Sequence, residues 1–506
     1  MAPVIPETTT PNGGHDEQQL MKPVVIYAPP GMIGHLVSTV ELGKQFTEHG
    51  LKVVIVLGGQ ADDHEATAAG GGDAADSFLE SATAAHPELS VHRLPQVARA
   101  RHVPAHDHVS RIFELARASN PDLRDFLRAM SPSPAAVLLD FFCGSAVDIG
   151  VELGVPTYFY FTTCVAGVAL LLHLPVIQGR TALSIRDLGV GLLHVPGLPP
   201  VPADHLAEAV LDCDSLANRQ FLALCEHLSR SQGVIVNSFR ALEPRAVDAI
   251  VAGICTLPER RTPPLHLVGP LVKSSSSEVA ANRHECLAWL DGQPVASVVF
   301  LCFGSMGRFS AEQTRHVARG LEMSGQRFLW VVRRPTGDSD NEGQHHQQQE
   351  AGLDDLDALL PEGFVAQTKE RGLVVESWAP QREVLAHGAV GGFMTHCGWN
   401  SVLEAVAGGV PMLAWPMYAE QRMNKVFLVE EMKLAVAVEC YDKEVVEDEE
   451  VAAKVRWLMK SDGGAELRQR AREAMQRAKQ AMGDGGESKV AVLELARKWS
   501  NAYVGP

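Results

Sequence analysis

The sequence predicts an α/β protein built as two parallel-sheet halves, and three observations carry that prediction. Short apolar runs rich in β-branched residues alternate with stretches of helical periodicity. A stretch rich in Pro, Gly and Ser, from Thr256 to Asn282, interrupts the alternation near mid-chain. Beyond it the alternation starts afresh. A chain of 506 residues exceeds what one core usually organises, so each half is expected to bury its own.

Val24-Val25-Ile26-Tyr27 reads as a buried strand, closed by the turn Ala28 to Gly31. Leu36, Val37, Val40, Leu42 and Phe46 follow with the period of a helix. Val53 to Leu57 supplies the next strand, and the Gly- and Ala-rich tract from Gln60 to Ser77 reads as a mobile surface loop. Ala136 to Asp140 and Val155 to Phe161 are further strands, the first ending in a carboxylate and the second running into Thr162-Thr163. Gly233 to Asn237 is the last clear strand of this half, and the stretch from Ile177 to Asp212 reads as a surface loop. After the interruption come a strand at Val298 to Phe303, a helix from about Ser310 to Met323, and strands at Phe328 to Val332 and Val374 to Ser377. Pro335 to Glu350, with His345-His346, reads as solvated loop rather than metal ligand. The tail from Ala465 to Tyr503 is helical, with a break expected at Gly483 to Gly486. The expected division is a disordered leader at 1–21, a first domain at 22–255, a linker at 256–290, a second domain at 291–485 and a final segment at 486–506.

Composition excludes several classes. With 46% hydrophobic and 21% charged residues the chain is neither disordered nor fibrous. A net charge of −17 argues against nucleic acid or an anionic membrane as partner. Nine scattered cysteines with no CxxC pair fit neither a zinc site nor a disulfide framework. The polar, acidic first twenty residues resemble no secretory signal, and the longest apolar run, Val165 to Ile177, is too short to span a bilayer. A cytoplasmic protein is expected.

The most informative stretch runs from Trp378 to Gln421. It opens on an indole and closes on the pair Glu420-Gln421. Between them the apolar run Gly391 to Thr395 leads into His396-Cys397-Gly398-Trp399-Asn400-Ser401, which enters a helical pattern. Unpaired N–H groups at a helix N-terminus favour an anion, a phosphate above all. Glu404, one turn along the same helix, would repel phosphate but can accept from a ribose diol. An aromatic plane, an anion cradle, a diol acceptor and a carboxylate–amide pair follow one another in the order of parts of a nucleoside-diphosphate sugar.

This 44-residue stretch resembles the signature box of the plant family-1 UDP-sugar glycosyltransferases, with no insertion or deletion. The likeness extends from about Val24 to Trp499. It implies the GT-B architecture, two Rossmann-like domains facing a cleft, with the final helix returning to the N-terminal domain. By that resemblance Trp378 stacks on uracil, the Ala379 backbone reads the base edge and Gln381 reaches the ribose. His396, Asn400 and Ser401 are the diphosphate contacts and Glu404 the ribose acceptor, while Trp399, Glu420 and Gln421 face the sugar. Ser305, in the turn Phe303-Gly304-Ser305-Met306-Gly307, is a further diphosphate contact, and Thr162 lies near the sugar. His35 falls on the position of the catalytic base and Asp140 on that of its partner. An isolated histidine at such a place is more often a surface group, and an isolated strand-end aspartate a turn former.

The expected activity is inverting, UDP-glucose-dependent O-glycosyl transfer to a plant phenolic or flavonoid, giving a β-glucoside and UDP. Gln421 favours glucose, because galactose users of the family tend to carry His there. The resemblance implies a UDP-sugar co-substrate, no divalent metal and no other cofactor. The partners expected are small molecules only, and the state a monomer. UDP-galactose as donor, transfer to carbon and transfer to a sugar already on the acceptor stay open. A dinucleotide-dependent oxidoreductase requires GxGxxG after a strand, and neither GMIGH near residue 31 nor GAVGGF near residue 388 supplies it.

Overall fold

The structure is a computed structural model that describes residues 22–60, 71–98, 102–104, 106–180, 184–272, 284–334 and 359–501. The expected leader, the insert at 335–350 with its two histidines, and the serine run at 274–277 lie outside the described residues.

In the first half the order is β1 (Val24–Ala28), α1 (Ile33–Glu48), β2 (Val53–Leu57), α2 (Gly71–Ala85), β3 (Leu89–Arg93), α3 (His108–Ala118), α4 (Asn120–Ala129), β4 (Ala136–Asp140), α5 (Val147–Leu153), β5 (Thr157–Phe161) and α6 (Val165–Gly179). A two-stranded ribbon, β6 (Leu192–Leu193) with β7 (Val201–Pro202), precedes α7 (Leu216–Arg230), β8 (Gly233–Val236), α8 (Pro244–Val251) and β9 (Leu265–Leu267). The seven strands other than the ribbon form one parallel sheet in the order β3-β2-β1-β4-β5-β8-β9. Its central strands are buried on both faces, which is why they read as continuous apolar runs rather than alternating ones.

The second half begins with α9 (Glu285–Asp291) and continues through β10 (Val298–Cys302), α10 (Ala311–Ser324), β11 (Arg327–Val332), α11 (Phe364–Thr368), β12 (Gly372–Glu376), α12 (Gln381–Ala386) and β13 (Val390–Thr395). Then follow α13 (Trp399–Gly408), β14 (Met412–Ala414), α14 (Gln421–Val426), β15 (Ala435–Ala437), α15 (Asp448–Lys460), α16 (Asp462–Met482) and α17 (Glu487–Asn501). Its six parallel strands run β12-β11-β10-β13-β14-β15. Helices cover both faces of both sheets, the doubly wound arrangement expected for this alternation.

The chain then returns to its beginning. The break at Gly483 to Gly486 separates α16 from α17, and Val492, Leu495, Ala496 and Trp499 of α17 join the core on one face of the first sheet. Trp499, 2% exposed, meets Phe46 edge-on at 4.9 Å and Tyr158 at 5.4 Å.

Three sequence expectations need correction. The tract read as a loop to Ser77 is helical from Gly71, because Ala75, Phe78, Leu79 and Ala82 give α2 an apolar face against the first core. Residues 61–70 lie outside the described ones. The stretch read as linker contributes β9, which pairs with β8 from Val234↔Leu265 to Val236↔Leu267, and also α9. Its prolines flank that strand; the Pro264 carbonyl accepts the Val234 N–H at 2.8 Å, and no ladder bond needs the N–H that proline lacks. The loop expected from Ile177 to Asp212 contains the ribbon and short 3₁₀ turns.

Candidate active site

In each sheet the strand order reverses once, between β1 and β4 in the first and between β10 and β13 in the second. Chains leaving neighbouring strands there turn to opposite faces and open a crevice at the carboxyl ends, where ligands of such sheets bind. Four of the candidate residues lie at these two places. His35 follows β1 in the first turn of α1, and Asp140 ends β4; Ser305 follows β10, and His396 follows β13.

His35 Nδ1 lies 2.7 Å from Asp140 Oδ2. Asp140 is 1% exposed, and its other oxygen accepts the Phe142 N–H at 3.0 Å, so the carboxylate cannot turn away. Phe141 and Phe142 flank the imidazole at ring distances of 5.3 and 5.4 Å. Burial, the largest single influence, pushes the His35 pKa down. The charge and hydrogen bond of Asp140, with the charge of Glu420, outweigh it and hold the pKa above the ordinary value of 6.5. With Nδ1 engaged, Nε2 is the ring atom left to meet a substrate proton.

Across from this pair stands the second half. Asn400 gives its amide N–H to the Gly34 carbonyl at 2.9 Å, so the start of α13 touches the start of α1 across 366 residues of chain. Gln381 donates to Ser401 Oγ at 2.9 Å and to Glu404 Oε2 at 2.6 Å, gathering three of the expected donor contacts into one hydrogen-bonded group. Trp378 is 56% exposed, an indole face open to a ligand, with the His284 ring edge-on at 5.7 Å. Ala379 is buried beside it.

His396 is nearly enclosed, and burial drives its pKa down to about 4. It is therefore a neutral imidazole that can donate one N–H but carries no charge. Its Nδ1 is buried without a protein partner. Gly304, at φ +77°, makes room for it: a Cβ there would sit 2.6 Å from His396 Nε2. Ser305 beside it is exposed.

Gln421 is buried, and its carbonyl accepts the Met417 and Tyr418 N–H groups at 2.9 and 3.0 Å. What it offers a ligand is the amide N–H₂. Glu420 lies close enough to His35 to raise its pKa, which ties the end of the box to the first half. Thr162 is buried at the end of β5, just before α6. Trp399 stands apart from the rest. Its ring is 3% exposed and its N–H goes to the Asn237 carbonyl at 2.8 Å, so its backbone rather than its indole is what it can present.

Several residues escaped the sequence reading. Asn237 at the end of β8, Asn424 on α14 and Glu243 are buried polar groups that hold the site's elements together. Asn424 donates to the Cys397 carbonyl at 3.0 Å and faces Cys164 Sγ at 3.4 Å, and Glu243 accepts the Val165 and Ala166 N–H groups at the start of α6 and the Ser238 hydroxyl just after β8. A polar residue closing an apolar strand was the available signal for Asn237, as it was for Asp140. Among the described residues, two groups of metal-type ligands, Asp212–Cys213–Asp214 and His316–Glu447–Asp448, share no residue with this crevice.

The arrangement can deprotonate a hydroxyl at His35 while holding a nucleoside diphosphate on α13. The model of the family described as "UDP-glucoronosyl and UDP-glucosyl transferase" matches residues 275–462. The chain is 41% identical to an anthocyanidin 5,3-O-glucosyltransferase of a Rosa hybrid cultivar, over 94% of this chain and 98% of that one. It is 43% identical to a phloretin 2'-O-glucosyltransferase of Malus domestica, over 92% and 97%. Among solved structures, Phytolacca americana UGT2 complexed with UDP-2fluoro-glucose and pterostilbene superposes with a TM-score of 0.80 at 33% identity, covering 95% of this chain and all of that one. Medicago truncatula UGT71G1 complexed with UDP-glucose gives 0.79 at 32%, covering 95% and 98%.

Proposed function

The chain belongs to the plant UDP-sugar glycosyltransferases, and from that premise we propose that it transfers glucose from UDP-glucose to a hydroxyl of a phenolic or flavonoid acceptor, with inversion. The observation that carries this reading is the His35–Asp140 pair set against a box whose Asn400 touches the turn bearing His35.

The acceptor O–H gives its proton to His35 Nε2 as its oxygen attacks the anomeric carbon. The bond from that carbon to the diphosphate oxygen breaks on the opposite face, UDP leaves with the electron pair, and an α-linked donor becomes a β-glucoside. Asp140 stabilises the imidazolium and holds the tautomer. Charge growing on the leaving diphosphate is met by the N-terminus of α13, the neutral N–H of His396, and the Ser401 and Ser305 hydroxyls. Trp378 supplies a face for uracil, Ala379 its backbone for the base edge, and Gln381 with Glu404 the ribose contacts. Thr162, Glu420 and the Gln421 amide serve the sugar hydroxyls. Phe141 and Phe142, beside the base, suit an aromatic acceptor.

In this reading residues 22–255 bind the acceptor, 291–485 bind the donor, 256–290 connect them and 486–506 return to the first domain. Transfer needs no divalent metal, so excess EDTA leaves the rate within about twofold. Among the described residues no helix is long and apolar enough to cross a membrane. The many buried free thiols suit the reducing cytoplasm, and the enzyme acts as a monomer.

The test is incubation with UDP-glucose or UDP-galactose and a panel of phenols, read by mass spectrometry and by NMR of the anomeric linkage. A β-O-glucoside formed with one equivalent of UDP is expected. Absence of transfer to every phenol, or preference for UDP-galactose, would overturn the assignment.

A further inference from the structure

The crevice joins two helices, α1 with the base and α13 with the anion-binding N-terminus, and one buried residue bonds to both. Asn237 follows β8 and is fully buried. Its backbone carbonyl accepts the indole N–H of Trp399, the first residue of α13, at 2.8 Å. Its side-chain amide donates to Ser38 Oγ at 3.2 Å, and Ser38 lies one turn beyond His35 on α1. Ser38 Oγ in turn lies 2.6 Å from the Tyr160 hydroxyl on β5. The Asn237 carboxamide is clamped by the Leu271 backbone, accepting its N–H at 2.7 Å and donating to its carbonyl at 3.1 Å. The approach is so close that a Cβ at Gly269 would lie 2.4 Å from Asn237 Oδ1.

The geometry points to Asn237 as a positioning residue of the transfer reaction, which sets the spacing between the helix bearing His35 and the helix receiving the diphosphate. This rests on the glycosyltransferase reading above. The chain of bonds is buried, so water cannot substitute for a lost partner. It ends on the two elements whose separation fixes the distance from base to anomeric carbon. A displacement of about 1 Å there is enough to cost about two orders of magnitude in rate. Asn237 touches no reacting atom in this assignment and acts through Ser38 and Trp399.

Ser38→Ala is the cleanest test. It removes the bond to α1 yet leaves Asn237 paired with Leu271, and Tyr160 can still donate to the Ser38 main-chain carbonyl at 3.2 Å. The variant is expected to lose about tenfold in kcat toward an ordinary phenol, with UDP affinity by calorimetry within about twofold of wild type. Toward 4-nitrophenol, already largely ionised at pH 8 and less in need of a base, the loss should be several times smaller. Asn237→Ala should show the same signature more strongly. If Asn237→Ala does not fold, Ser38→Ala still decides. Unchanged kcat in Ser38→Ala, or equal losses toward both acceptors, overturns the positioning role. A wild-type enzyme that glucosylates neither phenol would instead overturn the functional reading itself.

Discussion

His35 is drawn in opposite directions by its surroundings, and the balance sets how the enzyme should respond to pH. Burial disfavours the imidazolium, while Asp140 and Glu420 favour it and win. A base must be neutral to accept a proton, so kcat/KM should fall on the acid side through a pKa above 6.5. Asp140→Asn removes the larger share of the upward influence and leaves the burial. The acid limb should then move to lower pH while the maximal rate drops by about 10²- to 10⁴-fold, measurable in a pH–rate profile. His35→Ala should abolish transfer while calorimetry still shows UDP binding; full activity in that variant would remove His35 from the mechanism. Folding linkage runs the other way. Because the His35 pKa is raised on folding, the charged pair stabilises the protein fully below the unfolded-state pKa, and that contribution is lost as pH rises through the folded value. Trp378 gives a second residue-scale expectation. Its exposed indole offers a stacking face, and Trp378→Ala should weaken UDP binding by about 1–3 kcal/mol in a titration.

At the scale of elements, α17 shows how one helix can stabilise a distant half of the chain. Trp499 fills a site between Phe46 and Tyr158, and Trp499→Ala should cost about 3–5 kcal/mol by cavity formation, read from denaturant unfolding, with no direct effect on the crevice. Elements are also where the limits of sequence reading show. The central strands were legible because burial on both faces makes them uniformly apolar, whereas His35 and Asp140, one just after such a strand and one at the end of another, were singled out only by the family resemblance. β3, with its pattern of buried, exposed and half-buried residues, and the three-residue strands β9 and β15 carry too little signal to stand out. The prolines around β9 read as linker. Trp399 was legible as part of the box, but the direction of its ring depends on Asn237, a contact 162 residues away that no local pattern encodes.

At the scale of the whole molecule, two sheets meet with their points of reversal facing a common crevice, and hydrogen bonds cross between the halves, an exposed one from Asn400 to Gly34 and buried ones from Trp399 to Asn237 and from Cys164 to Asn424. A ligand held by the second half is thus felt by the first. UDP at about a hundred times its Kd should add about 2.7 kcal/mol to the stability of the folded protein, seen as a rise in Tm, and Trp378→Ala should show a smaller rise at the same UDP concentration.

The return of α17 also has a consequence for how the protein is made. The first sheet is complete in sequence by Leu267, yet one face of its core waits for Val492, Leu495 and Trp499. More than two hundred residues must leave the ribosome between the last strand of that sheet and the helix that covers it. Domains commonly fold as they emerge, but this one remains open on one side until α17 has been made. A nascent chain halted before α17 should therefore present an apolar surface that chaperones bind, and the emergence of α17 is the event that closes it.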